Sequence, residues 1–496
     1  MILIFLYTFL EQFYSMKYII FTLFNVIVSN AFCAIRYVTQ SGAGAFNATS
    51  WSNAASGDNL QSVINSATTG DEIWVAAGTY FTTTGTNRAI SFSMRNGIVI
   101  LGSFAGTETL LSQRNLANGL SSILSGEIGF AGISDNSYHT ISNSGLNNTA
   151  IIDGFIIRDA NDNRVATITD GLGGGIYNNG SGAGNVCSPI IRNCLITNNY
   201  ATFGGRIFNS GYNGGTASPL ILNCVITNNS ATGGGGIDNF GLLNGNSSPS
   251  ITNCVIYNNH ATFRAGGMYC WGGNNGNTNP IVTNTSFVNN SEVDGGGVVS
   301  DRLNSGGGSS GNSNPSFRNC IFWGNTASGT GPQFFLLGGA TFTPTFTDIN
   351  LTGQTSPHII SGSGTGNQNV DPLFSNIAIG AGDDGIWLTH DDGLNLMFNS
   401  PLINAGDPTV TSPTTDIFGY TRTGIFDIGA YECRRYIFIG PGNLWTTDTD
   451  WDVGTVPPIL YQGTIIIDAE CEKVGMDLPF NSQLIINPGK VLTIKE

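Results

Sequence analysis

The chain has 496 residues, of which only 10% are charged and 68 are Gly, and its formal net charge is −15. No Lys lies between Lys17 and Lys473, which excludes the evenly charged surface of an ordinary cytosolic globule. The negative balance repels phosphate backbones, so the composition argues against nucleic acid as a partner and leaves uncharged partners open.

Residues 1–34 are strongly apolar, and "MKYIIFTLFNVIVSNAFCA" has the order of an export signal: Lys17, an apolar stretch, then small residues near Ala31 to Ala34. Met16 gives the better start, and the segment is expected to be removed on secretion. Glu11, Gln12 and Lys17 interrupt the apolar run, so a retained anchor is disfavoured and the mature chain is expected to lack a transmembrane segment. Asn30, Ala31 and Phe32 match a lipid-processing signal at Cys33 poorly.

An N-terminal cap is expected over residues 35–110. Within it, "DNLQSVINSATTGDEIWVAAGTYF" predicts a short helix from about Asn59, capped by Asp58 and burying Leu60, Val63, Ile64 and Ala67. A Gly70-Asp71 turn and a strand over Glu72 to Ala76 follow.

The middle of the chain repeats. Asn193-Cys194, Asn223-Cys224, Asn253-Cys254, Asn284-Thr285 and Asn319-Cys320 recur at spacings of 30, 30, 31 and 35 residues, the period of a stacked array. Three residues before the Cys position stand Ile191, Ile221, Ile251, Val282 and Phe317; two after it stand Ile196, Ile226, Ile256, Phe287 and Phe322. The columns between them vary, with Arg192, Leu222, Thr252, Thr283 and Arg318 in one and Thr197, Thr227, Tyr257, Val288 and Trp323 in the other, and are expected to face solvent. Strand alternation has period two, so one residue must break it; Asn does so by turning a left-handed corner, and stacked Asn side chains form a ladder. Downstream, Ala201, Ala231, Ala261 and Ala327 offer a small inward position, Gly-Gly pairs turn the chain, and Ile207, Ile237, Met268 and Val298 return inward. Runs such as "GGGG" and "GGNNGNTN" disfavour helix. The expected fold is therefore all-β: a right-handed parallel β-helix of roughly thirteen coils, about 60 Å long at ~4.8 Å per coil. The Cys column is expected to be buried and unbridged, because stacked Cβ vectors point the same way.

The cap stretch quoted above resembles the opening of pectate-lyase-like β-helix proteins. "ILGSFAGTETLLSQRNL" and "SSILSGEIG" resemble exported β-helix proteins of Bacteroidetes-type bacteria, and "GGGI" with "FVNN" or "FWGN" is similar to the repeats of polymorphic outer-membrane proteins. "VDPLF", "SPLINAGDP", "DIFGYTR" and "DIGAYE" are similar, in order, to the closing segment of choice-of-anchor β-helix proteins. The resemblance spans roughly residues 35–435, with the closing segment at 370–435, and implies a secreted or surface, adhesin-like protein associated with a bacterial outer membrane. Residues 436–496 look like a small C-terminal β module, and the absence of a sorting domain after it suggests a truncated product or another route of export.

Chemistry is sparse. The Gly-His-Gly and Arg-Ile-Lys signatures of polygalacturonase-type β-helices are missing. Asp383-Asp384 and Asp391-Asp392 look like catalytic carboxylate pairs; a turn or cap role is expected, with bound calcium and then catalysis as the alternatives. The long connection "RDANDNRVATITDG" offers Arg158, Asp159, Asp162 and Arg164 to a polar ligand, against a solvated loop of local ion pairs. Tyr212, Tyr257, Trp271 and Trp323 are candidates to stack on sugar rings, Trp271 foremost. His139, His260, His358 and His390 share no motif, and the column of His260 holds Tyr200, Ser230 and Ser291, so no ligand role is expected there. No catalytic residue is identifiable and no cofactor is required. The expected function is a monomeric, non-enzymatic adhesin-like rod that binds polysaccharide or surface glycan; a polysaccharide lyase or glycoside hydrolase, and a structural spacer, are the alternatives.

Overall fold

The computed structural model describes residues 33–165, 170–304, 310–355 and 364–433, with 435–438, 446, 464–467, 471–474, 483–488 and 490–495 beyond them. The signal segment and His358 therefore lie outside the described residues, apart from Cys33 and Ala34.

Each repeat is one coil with four faces. In the copy around Cys194 these are Ile190–Arg192, Leu195–Thr197, Tyr200–Ala201 and Ile207–Ser210. Like strands of successive coils pair in parallel and in register, as in Ile191↔Ile221, Ile196↔Ile226 and Ile207↔Ile237. The stacks hold 11, 9, 6 and 7 strands on the first to fourth faces. This is an all-β parallel β-helix, and the crossover rule makes it right-handed. The nine strands of the second face mean about nine coils instead of thirteen, roughly 40 Å of rod at ~4.8 Å per coil. Residues 370–433 do not coil, which accounts for about two of the missing turns, and early coils longer than thirty residues account for the rest.

The corners follow the sequence. Asn193, Asn223, Asn253, Asn284 and Asn319 take φ between 47° and 54°, and Asn223 and Asn253 each donate to the preceding Asn at 3.1 Å. A second corner, Asn198, Asn228, Asn258 and Asn289 at φ of 51° to 55°, leaves the second face only three residues wide. Two further ladders run inside the rod. Asn229, Asn259 and Asn290 donate to the next Asn at 2.9, 3.0 and 2.9 Å, while Asn143, Asn178 and Asn209 do so at 3.0, 2.9 and 3.0 Å. Cys194, Cys224, Cys254 and Cys320 are buried and free. Thr285 fits their column because its hydroxyl, like their thiols, bonds the carbonyl two residues back, at 2.9 Å to Thr283.

At the N-terminal end the helix is Leu60–Ser66, burying Leu60, Val63 and Ile64, and the strand is Glu72–Ala76. Asn59 is the N-cap, its side chain turned back to donate to the Ser56 hydroxyl at 3.0 Å instead of capping the helix; Asp58 lies in a preceding 3-10 turn, Gly57–Asn59. Among the described residues no helix is long and apolar enough to cross a membrane.

The outward column Thr197, Thr227, Tyr257, Val288 and Trp323 does not face solvent as expected: the first four are buried. Residues 370–433 fold back over the second face, so that Val225, Val255, Tyr257, Val288 and Ile321 pack against Trp387, Leu394, Leu402 and Ile428. Polar pins fix this flap. Asn253 donates to the Thr415 carbonyl at 2.7 Å, Asn319 accepts from the Asp407 amide at 2.8 Å, and Arg318 Nε pairs with Asp407 at 2.7 Å. Beyond it, Arg435–Phe438, Thr464–Ile467 and Gln483–Ile486 form a second, small parallel stack.

Candidate functional site

The flap covers the second face, and on the fourth face Tyr177, Phe208 and Phe240 are buried under neighbouring turns and rings. The third face stays open. Its strands are short because they are caught between the Asn corner and the Gly-Gly turn: Tyr200–Ala201, Ser230–Gly233, His260–Arg264, Ser291–Glu292 and Thr326–Ala327. Outward residues stack as Tyr200, Ser230, His260, Ser291 and Thr326. The alternate column is the small one, Ala201, Ala231, Ala261 and Ala327.

Over the last three coils this face forms an open groove of about 430 Å³ whose lining includes His260, Thr262, Ser291, Glu292 and Thr326. That volume is typical of small-ligand clefts, roughly 300–1,000 Å³. His260 bonds the Ser291 hydroxyl at 3.0 Å. Phe263, on the same strand, is 54% exposed and lies under the Arg264 guanidinium, 5.0 Å from ring centroid to Cζ. Glu292 is 5% exposed, and neither of its oxygens has a hydrogen-bond partner of good geometry. Burial pushes its carboxyl up to about 8, with Asp294 adding to the rise and the Val293 amide and Arg264 pulling back.

The same column carries a second acid in the first coil of this face, Asp162, which pairs with Ala201. It is treated differently. Arg164 grips it through Nε and Nη2, both at 2.7 Å, and the Leu172 amide adds a bond at 3.0 Å. Arg158 is paired with its neighbour Asp159 at 3.0 Å, and Asp159 also accepts from Ser125 at 2.9 Å. The loop thus resolves into local ion pairs. Trp271 stands on the fourth face, its indole N–H given to the Leu303 carbonyl at 2.7 Å and its ring 5.4 Å from Phe240. Tyr212 stacks on Phe240 at 5.6 Å, Trp323 packs against the flap cluster, and Tyr257 lies beneath the flap, 5.4 Å from Trp387. The candidate ligand residues therefore do not converge on one surface.

The flap acids serve its turns. Asp391 accepts from the Asp384 amide at 3.0 Å and from the Thr389 hydroxyl at 2.7 Å, and Asp384 accepts from that hydroxyl at 3.2 Å. Asp392 accepts from the Tyr431 hydroxyl at 3.0 Å and the Leu388 amide at 3.2 Å, and burial pushes its carboxyl well above the usual range. Asp383 is exposed at the turn. Among the described residues no three His, Cys, Asp or Glu side chains stand close enough to share a metal ion.

Reading the sequence overlooked Glu292. Its signal was a gap: the small column begins with Asp162 and then has Ala in every copy except the one between Ala261 and Ala327, which has Glu.

No protein-family model and no curated protein matches this chain. Among solved structures it is similar to a crystal structure of pectate lyase Pel9A, at 15% identity and a TM-score of 0.40, covering 80% of this chain and 96% of that one. The fold assignment rests on the strand register above.

Proposed function

We propose that the protein is an exported, surface-associated, adhesin-like β-helix that holds glycan in the third-face groove without transforming it. The observation that carries this reading is the groove itself: an open trough of about 430 Å³ along the coil axis, edged by hydroxyls and the His260 ring. Hydroxyl and imidazole groups match the hydrogen bonds of sugar hydroxyls, and the exposed Phe263 ring supplies the apolar plane on which a pyranose stacks. The flap acids already serve its turns, which favours binding over turnover. The reading needs no cofactor, and a monomer suffices for it.

Glycan-array binding by the full chain tests the proposal, with Thr326→Trp filling the groove and Thr343→Trp, exposed on the first face, as the control. Binding is expected to vanish only in Thr326→Trp, and equal binding by both variants refutes the groove. A second reading, a polysaccharide lyase or hydrolase, is favoured by Glu292, an acid buried beneath the groove whose carboxyl is pushed up to about 8. New unsaturated or reducing ends from a polysaccharide panel, with and without chelator, decide for it.

A further inference from the structure

The flap shows what the Asn corners bind. Asn253 donates to Asn223 at 3.1 Å and to the Thr415 carbonyl at 2.7 Å, Asn289 donates to the Ile377 carbonyl at 3.1 Å, and the Asn319 side-chain oxygen accepts from the Asp407 amide at 2.8 Å. Peptide groups of the flap thus meet the corners of the later coils, and Asn253 and Asn319 are fully buried. One and two coils earlier the corner is left open. Asn193 donates to Asp153 at 3.0 Å and Asn223 to Asn193 at 3.1 Å, and both residues are only half-buried. An amide nitrogen carries two N–H groups, so each of the two keeps one for a further acceptor. Both residues line a pocket of about 230 Å³ together with Leu388, Ile417 and Phe418 of the flap and Leu116 and Leu120 of the loop that follows the Val99–Phe104 strand. Loop and flap meet where Gly119 packs against Ile386 too closely for a side chain to fit between them. His390 and Tyr420 complete the lining, their rings nearly parallel with centroids 5.4 Å apart, and the lining includes no Lys, Arg, Asp or Glu.

We infer that this pocket holds the terminal residue of a neutral, N-acetylated amino sugar, whose acetamido carbonyl takes the spare N–H of Asn193 or Asn223 as the Thr415 carbonyl takes that of Asn253. An acetamido substituent is a peptide group carried on a sugar. Its carbonyl and N–H match an Asn amide, its methyl group matches the Leu and Ile walls, and the pyranose ring stacks on an aromatic face such as Phe418. A lining without charged partners disfavours a uronate or a free amine, either of which would lose its hydration uncompensated. The volume lies below the roughly 300–1,000 Å³ of clefts for larger ligands, and so suits one ring and not an extended chain. The pocket sits on the corner between the first and second faces, apart from the third-face groove, and binds whether or not the groove does.

Saturation-transfer NMR and isothermal titration of the full chain test it, with N-acetylglucosamine, glucosamine, glucose and N-acetylglycinamide as probes and wild type, Ala117→Trp, Asn223→Gly and Thr326→Trp as proteins. The wild type is expected to bind N-acetylglucosamine about tenfold more tightly than glucose or glucosamine, with the acetyl methyl protons the most strongly saturated. Ala117→Trp, a change at an exposed loop position of the lining, fills the pocket and is expected to abolish that binding. Asn223→Gly keeps the left-handed corner, at φ 51°, while removing the N–H, and is expected to lose about tenfold. Thr326→Trp, in the other groove, is expected to bind N-acetylglucosamine as the wild type does. Binding undiminished in Ala117→Trp, no preference for N-acetylglucosamine over glucose, or no binding at all overturns the inference. Tighter binding of N-acetylglycinamide than of the sugar assigns the pocket to peptide and overturns it too. None of these results touches the third-face groove, which the glycan array with Thr326→Trp decides separately.

Discussion

Arg206 is the least expected residue of the rod interior. Its column is otherwise Gly175, Gly236, Gly267 and Gly297, ending in Gln333, and a Cβ on Gly236 would come within 2.5 Å of the Gly267 carbonyl. Arg206 is 0% exposed, and none of its three guanidinium nitrogens has a hydrogen-bond partner. Burial drags its pKa well below the ordinary arginine value. The one favourable neighbour is the Tyr200 ring, 5.9 Å from Cζ, a contact of about 0.5–2 kcal/mol. An uncompensated buried charge costs roughly 3–5 kcal/mol. Arg206→Met keeps the stem and its packing while removing the charge, so the net gain is about 2–4 kcal/mol. Urea unfolding followed by tryptophan fluorescence reads this directly: with m of about 3 kcal/mol/M the midpoint rises by roughly 1 M at unchanged m. An unchanged or lower midpoint refutes the reasoning, because the guanidinium would then have a partner that pays for its burial.

Other expectations follow from the ladders, the buried acids and the flap. Asn259→Ala removes an acceptor for Asn229 and the donor to the Ile226 carbonyl at 2.8 Å, and is expected to destabilise by about 2–5 kcal/mol, read as a fall in urea midpoint. Glu292 at about 8, Asp348 and Glu432 at about 7 and Asp427 at about 6 all titrate above their unfolded values near 4. Their protons favour the folded state, so stability is fullest below pH 4, apart from the opposing loss of acids held low such as Asp71 and Asp407, and falls as pH rises from 5 to 8. Urea midpoints that rise across that window contradict the assignment. Trp387→Ala empties the contact with Tyr257 and is expected to cost about 3–5 kcal/mol and to increase binding of a hydrophobic dye; no change in either means that the flap does not seal the second face.

The repeat was legible because its constraints are local and recur. A left-handed corner admits few residue types, and a stacked interior keeps columns apolar, so Asn193 and Ile191 announce their roles in every copy. The second corner at Asn198 and the inner ladder at Asn209 obey the same rules but lie outside the Asn-Cys frame. What stayed hidden was contact between distant segments. Nothing in "VITNN" or "VIYNN" says that its outward side chains are covered, because the cover comes from residues more than a hundred positions away, such as the Ile377 carbonyl that takes the Tyr257 hydroxyl at 3.0 Å. The candidate site failed for a related reason: charged loops attract attention, yet charges close in sequence tend to satisfy one another, as Arg158 and Asp159 do. An acid with no arginine closing on it, in a column mostly of alanines, is quieter and more informative.

Nearest-neighbour stacking leaves a solenoid free to gain or lose a turn during evolution, since each addition repeats the same joint. The strap over the second face removes that freedom. It grips Asn253 at one level and Asn319 two turns further on, through Thr415 and Asp407, so an extra turn between them would push the two anchors about 5 Å out of step with a strap of fixed length. Turn number between those anchors is thereby measured by a segment that is not itself a repeat, and duplications within the interval from Asn253 to Asn319 are expected not to survive.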